Sequence, residues 1–165
     1  MRTNSTFFNC QPKVYGFAMG NTGRLLYQLK NVDCCYLIFP NNINMYLDML
    51  IHDQPPFILG LGSYSGVDQD NIRIETICSN QFRNNFIEGD HYTETEIKPF
   101  LKPTAFMKYT KAIGNSYCNL VSWKIMQLIN QNKLNSHYTF LHIPKTMKYL
   151  IAGQEIDETL RMSRL

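Results

Sequence analysis

Apolar and polar positions along the chain change period repeatedly, and the changes predict an order of elements. Val14–Phe17 is a short apolar run that gives way to a loop, Ala18-Met19-Gly20-Asn21-Thr22-Gly23. Arg24–Lys30 puts Leu25, Leu26 and Leu29 on one helical face. Cys34–Phe39 is a continuous apolar run ended by Pro40, the pattern of a strand buried on both faces. Asn41 or Asn42 is placed to cap a helix reaching about Ile51, with Ile43, Leu47 and Leu50 facing inward. Pro55-Pro56 end it, and Phe57–Leu61 is another buried strand, followed by a Gly/Ser loop from Gly62 to Gly66. Asn71–Ile77 alternates Ile72 and Ile74 with Arg73 and Glu75, as a half-buried strand does.

The segment from Cys78 to Pro103 is polar and irregular, with a short helix expected near Ile97–Leu101. Ala105–Tyr109 reads as a strand. From about Tyr117 to Asn130 the apolar positions Tyr117, Val121, Ile125 and Leu128 make an amphipathic helix. Tyr138–Ile143 is the last strong strand, stopped by Pro144, and Glu155–Ser163 is a final short helix. Strands alternating with helices imply right-handed crossovers and a three-layer α/β/α fold with a mainly parallel central sheet. No repeat or linker divides the 165 residues, so one compact domain is expected, with residues 1–12 as an N-terminal extension.

Composition narrows the functional classes. The net charge of +3 is scattered, and Lys98, Lys102, Lys108 and Lys111, though interleaved with Phe100, Phe106 and Tyr109, read as an exposed loop beside a strand. No nucleic-acid partner is expected from them. The longest strictly apolar stretch, Cys34 to Phe39, is far short of the roughly 20 residues of a membrane span. The first residues, MRTNSTFFNC, lack the apolar core of a secretory signal. Five cysteines show neither C-x-x-C nor a Cys/His pair at zinc spacing, so no metal is expected and a reducing compartment, the cytoplasm, is the simplest setting.

Open parallel sheets gather chemistry at the carboxyl ends of their strands. Cys118 falls in the first turn of the helix that begins near Tyr117, where free N–H groups and the helix dipole favour a thiolate. By position alone, packing explains it equally well. His142 ends the following strand, one crossover later, and would emerge at the same edge. An imidazole within reach of a thiol can take its proton and return it to an amine leaving group. The plainer reading of His142 is a buried histidine satisfied by backbone. His52, His91 and His137 read as surface residues.

The residues around this pair resemble a known family. Gly114-Asn115-Ser116-Tyr117-Cys118-Asn119 is similar to the nucleophile segment of the pyroglutamyl peptidases (pyrrolidone-carboxylate peptidases), and Phe140-Leu141-His142-Ile143-Pro144 to their histidine segment. His142 follows Cys118 by 24 residues, a separation that also looks like the family's. Lys13-Val14-Tyr15-Gly16-Phe17 resembles the first strand and its Gly-Phe turn, and the resemblance extends over about residues 13 to 148. It implies a phosphorylase/hydrolase-like α/β/α fold and a cysteine exopeptidase that removes N-terminal pyroglutamate without a cofactor. It further implies Cys118 as nucleophile, His142 as base, Asp70 as the acidic residue that orients His142, and Phe17 and Asn119 in the substrate pocket. Setting Ile72 and Ile74 on the family's aliphatic strand positions selects Asp70, where the family has Glu; Asp68 and Glu75 are the other candidates. The oxyanion is expected between the helix start and the Gly60–Gly66 loop.

The chain also departs from the family. Ala18-Met19-Gly20-Asn21 replaces an aromatic and double-glycine continuation, and the stretch between Glu75 and Ala105 is shorter. The final helix is expected to be cut down. A relative that keeps the fold without turnover, serving as a binding or structural protein, is therefore the competing reading. The expected partner is a peptide with a blocked N-terminus; homo-oligomerisation is left open. Gly60-x-Gly62 is a weak dinucleotide-loop signal because no helix follows it, and Asp68-Gln69-Asp70 reads as a polar turn rather than a cation site.

Overall fold

The computed structural model describes residues 13–66, 70–111 and 113–163. The expected extension, residues 1–12, and Asp68 lie outside the described residues. The chain runs β1 (Val14–Met19), α1 (Gly23–Leu26), β2 (Cys34–Ile38), α2 (Ile43–Asp53), β3 (Phe57–Tyr64) and β4 (Ile72–Glu75). Four short strands follow: β5 (Ile77–Ser79), β6 (Gln81–Phe82), β7 (Asn85–Phe86) and β8 (Glu94–Glu96). The remainder is β9 (Met107–Thr110), α3 (Tyr117–Asn130), β10 (His137–Pro144) and α4 (Tyr149–Met162). A six-stranded sheet has the order β2-β1-β3-β10-β4-β9. All its pairings are parallel except β10 with β4, as the alternation of strands and helices predicts.

Side-chain alternation sorts the core into two layers. One contains Phe17, Ile58, Tyr138 and Phe140 with the inner faces of α2 and α3. The other contains Val14, Leu59, Leu61, Ile74, Leu141 and Ile143 with α1 and α4. α3 spans the residues that its apolar period indicates. β2 differs from expectation: it is an edge strand and mostly half-buried, so its apolar run does not mean burial on both faces. Asn42 precedes α2 without capping it. Its Oδ1 accepts the Phe39 N–H at 2.8 Å and its Nδ2 donates to the Leu37 carbonyl at 2.9 Å, which holds the turn instead.

The helix expected near Ile97–Leu101 does not form. The Ile97 N–H goes to the Thr76 carbonyl and the Phe100 N–H to Thr139 Oγ1, while Pro99 has no N–H to give. Ile97 and Leu101 are nevertheless buried, as irregular backbone laid against the sheet. α4 begins at Tyr149, earlier than expected. Its first buried positions are Ala152 and Gly153, too small to register as an apolar stripe, while the larger Leu150 and Ile151 beside them face solvent.

Candidate active site

Two elements deliver a thiol and an imidazole to one point. Gly114 has φ +80° in the turn before α3, a conformation that suits glycine. Arg83 of the β6–β7 hairpin clamps that turn: its N–H donates to the Asn115 carbonyl at 2.7 Å, and Asn115 Nδ2 returns a bond to the Arg83 carbonyl at 3.0 Å. α3 then begins, with Cys118 as its second residue. The first intrahelical bond runs from Leu120 N–H to the Ser116 carbonyl, so the N–H groups of Tyr117, Cys118 and Asn119 precede the helical ladder.

His142 lies near the carboxyl end of β10, directly opposite Gly62 of β3. A Cβ on Gly62 would come within 2.7 Å of Cys118 Sγ, 2.9 Å of Phe140 Cζ and 3.1 Å of His142 Cδ2. The missing side chain is thus the space in which thiol and imidazole meet. Gly60, one position back on the same face, opens room for Phe140 and Phe17. Both glycines belong to β3, so the expected loop from Gly62 is a continuation of the strand.

The imidazole is buried and held on both sides. His142 Nδ1 lies 2.8 Å from Glu75 Oε1, and the Cys118 sulfur borders the ring on its other side, above Gly62. With Nδ1 committed to the carboxylate, Nε2 is the nitrogen left for sulfur. Glu75 is fully buried, and its second oxygen, Oε2, accepts the Thr110 hydroxyl at 2.8 Å. Phe140 packs edge-on against the imidazole with centroids 5.0 Å apart, and Tyr64 approaches it at 6.1 Å under the Arg73 guanidinium. Burial works against a charged imidazole here, yet the hydrogen bonds and charges of Cys118 and Glu75 outweigh it. They raise the His142 pKa from the ordinary 6.5 to about 9.

The acidic partner is therefore Glu75, one of the three candidates, and the expectation for Asp70 is corrected. β4 runs antiparallel to β10 with Arg73 opposite His142, so Arg73 and Glu75 share the face of the imidazole. Asp70 lies exposed before β4 begins, roughly 10 Å along the chain from Arg73. The two expected pocket residues are also elsewhere. Phe17 is fully buried among the rings of Tyr46, Tyr138 and Phe140, so it backs the site without lining it. Asn119 is fully buried as a brace: its Oδ1 accepts the Ser79 N–H, and its Nδ2 donates to the carbonyls of Ser79 and Gln81. Thr110 carries no signal in the sequence, because its closeness to Glu75 exists only through the β4–β9 register.

Among the described residues no group of three His, Cys, Asp or Glu side chains is placed to hold a metal ion. No described helix is long and apolar enough to cross a membrane.

No protein-family model and no curated protein sequence matches the chain. Solved structures do. The fold is similar to that of pyroglutamyl peptidase I from Bacillus amyloliquefaciens, with a TM-score of 0.75 at 13% identity over 94% of this chain and 96% of that one. The pyrrolidone carboxyl peptidase of Thermococcus litoralis superposes with a TM-score of 0.71 at 16% identity, covering 93% of each chain. The enzyme of Thermus thermophilus gives 0.66 at 13% identity over 92% of this chain and 100% of that one. The chain thus has the pyroglutamyl peptidase fold, as its sequence resemblance implies.

Proposed function

We propose that the protein is a cysteine peptidase of the pyroglutamyl peptidase type, acting on peptides blocked by an N-terminal pyroglutamyl residue. The observation that carries this reading is the convergence of Cys118 and His142 over Gly62 on that fold, with Glu75 bound to the far nitrogen of the imidazole. Cys118 gives its proton to His142 Nε2, and the sulfur attacks the pyroglutamyl carbonyl. The N–H groups at the start of α3 are suited to receive the developing oxyanion. As the tetrahedral intermediate collapses, the C–N bond breaks and the imidazolium protonates the departing amine. Water, deprotonated by the now neutral His142, then cleaves the thioester and restores the thiol. Glu75 holds the imidazole by accepting from Nδ1, leaving Nε2 towards sulfur throughout. Every protein group in these steps belongs to this chain, and a reducing, cytoplasmic setting would keep the thiol available.

The test is hydrolysis of a fluorogenic pyroglutamyl amide under reducing conditions by the parent and by Cys118→Ser. Turnover should fall at least about 10³-fold in the variant without loss of fold. One observation favours the competing role of a binding or structural protein: Phe17 and Asn119 are committed to packing and bracing rather than to a pocket. Alkylation separates the cases when no turnover is seen. Cys118 reacting faster than Cys34 and Cys35 would indicate a different acyl substrate, and Cys118 reacting no faster would end the enzyme reading. Cys78 is a built-in control, since burial pushes its thiol up to about 12.

A further inference from the structure

Glu75 has two carboxylate oxygens, and the imidazole uses one. The other takes a hydroxyl hydrogen bond from Thr110, on the strand beyond β4. Glu75 and Thr110 are direct partners in the parallel β4–β9 register, so their side chains rise from the sheet on the same face. From this geometry, and resting on the peptidase reading above, we infer that Thr110 is a positioning residue that fixes the Glu75 carboxylate plane and, through it, the His142 ring.

Two features separate this role from ordinary strand packing. First, β9 is secured without the Thr110 hydroxyl. The Thr110 carbonyl accepts both the Thr76 N–H at 2.8 Å and the Thr76 hydroxyl at 2.9 Å, and the ladder from Ile72 to Glu75 pairs the rest of the strand. Second, both ends of the carboxylate are engaged at 2.8 Å, one by a ring nitrogen and one by the hydroxyl. A carboxylate held at one oxygen can swing about its terminal torsion, a broad and soft coordinate. Held at both, it presents one direction to Nδ1. The other groups around the imidazole, Cys118 from α3, Arg73 from β4, Tyr64 from β3 and Phe140 from β10, are untouched by substitution at position 110.

Thr110→Val keeps the β-branched shape, suits a strand and deletes the hydroxyl; Thr110→Ser keeps the hydroxyl. Each is compared with the parent by the rate of Cys118 alkylation with iodoacetamide, the proton resonance of His142 Nδ1–H, the urea midpoint, and hydrolysis of the pyroglutamyl amide. Alkylation in Thr110→Val should slow on the order of ten-fold, as when an outer-shell partner is lost. Its Nδ1–H resonance should broaden while urea unfolding stays cooperative and the fold is intact, and Thr110→Ser should behave as the parent. Parent-like alkylation and resonance in Thr110→Val, or a serine variant as impaired as the valine one, would overturn the assignment. A parent that leaves the pyroglutamyl amide intact, while Thr110→Val still alkylates more slowly than the parent, would sink the pyroglutamyl substrate and uphold the role of Thr110.

Discussion

The two faces of the central sheet are made by the same strands and serve different ends. Towards α1 and α4 the strands present Val14, Ala18, Leu59, Leu61, Leu141 and Ile143, nearly all aliphatic. The buried polar groups there are neutral and satisfied: the Thr22 hydroxyl bonds to the Met19 and Leu61 carbonyls, and Thr139 Oγ1 accepts the Phe100 N–H. Towards α2 and α3 the same strands present rings, glycines and an acid–base pair: Phe17, Phe140, Gly60, Gly62, Glu75 and His142. The first face works by excluded area, where each buried aliphatic side chain contributes about 1.5–3 kcal/mol whatever its neighbour's identity. The second works by fit. Burying Glu75 with His142 is not an efficient source of stability, because desolvating two charges offsets most of their attraction. On the proposed reading, the pair serves the chemistry it orients rather than the stability of the fold.

Removing the acid should therefore harm activity far more than it harms the fold. Glu75→Gln keeps the shape and an acceptor oxygen but loses the charge, and kcat/KM should drop about 10²-fold or more by analogy with the acid of serine triads. Asp70→Asn, at the exposed position that sequence reasoning selected, should leave kcat/KM within about twofold. Steady-state kinetics on the two variants decide the matter. The reverse ranking would return the acidic role to Asp70 and undo the contrast between buried and surface carboxylates.

The pH profile sharpens the same contrast. Despite burial, Cys118 and Glu75 hold the His142 pKa above its ordinary 6.5, at about 9. The imidazolium therefore persists as pH rises through neutrality and is lost only near the higher value. Departure of the amine needs that proton, so kcat/KM should hold across neutral pH and decline around pH 9. In Glu75→Gln the declining limb should move down towards 6.5, since one of the two supports is gone. A parent whose activity already falls near pH 6.5 would mean that the imidazole is not held as the geometry indicates.

Cys118 and His142 are legible in the sequence because their relation is local: a helix start and the end of the next strand, joined by one crossover. The acid is harder to read because three carboxylates lie within eight residues and strand register decides among them. Strand parity held the answer. Ile72 and Ile74 face the aliphatic layer, Asp70 shares their parity, and Glu75 falls with Arg73 on the other face. Matching aliphatic positions to a family pattern overrode that parity and selected Asp70. Phe17 and Asn119, expected in the pocket, sit behind the site as packing and brace, because nearness along the chain does not separate a residue that lines a cavity from one that backs it. Gly62 read as a loop because glycine is common in loops; its actual role, a gap in a strand, depends on Cys118 arriving from more than fifty residues away.

The smallest effects test the two faces with the same substitution. Gly62→Ala would set a methyl group 2.7 Å from Cys118 Sγ and 2.9 Å from Phe140 Cζ. One of them must move, at a cost of about 1–3 kcal/mol for overpacking, and activity should suffer because the thiol and imidazole separate. Gly153→Ala, on the inner side of α4, would meet Leu25 Cδ1 at 3.4 Å, an ordinary contact with the tip of a flexible side chain. Alanine there removes a mid-helix glycine, so stability should rise by up to about 1 kcal/mol with kcat unchanged. Urea unfolding and steady-state kinetics on both variants measure the difference. Equal tolerance at both glycines would show that the α3 face is packed no more exactingly than the aliphatic one. A loss confined to Gly62 would show that the space beneath the thiol is as much a part of the site as the side chains that enter it.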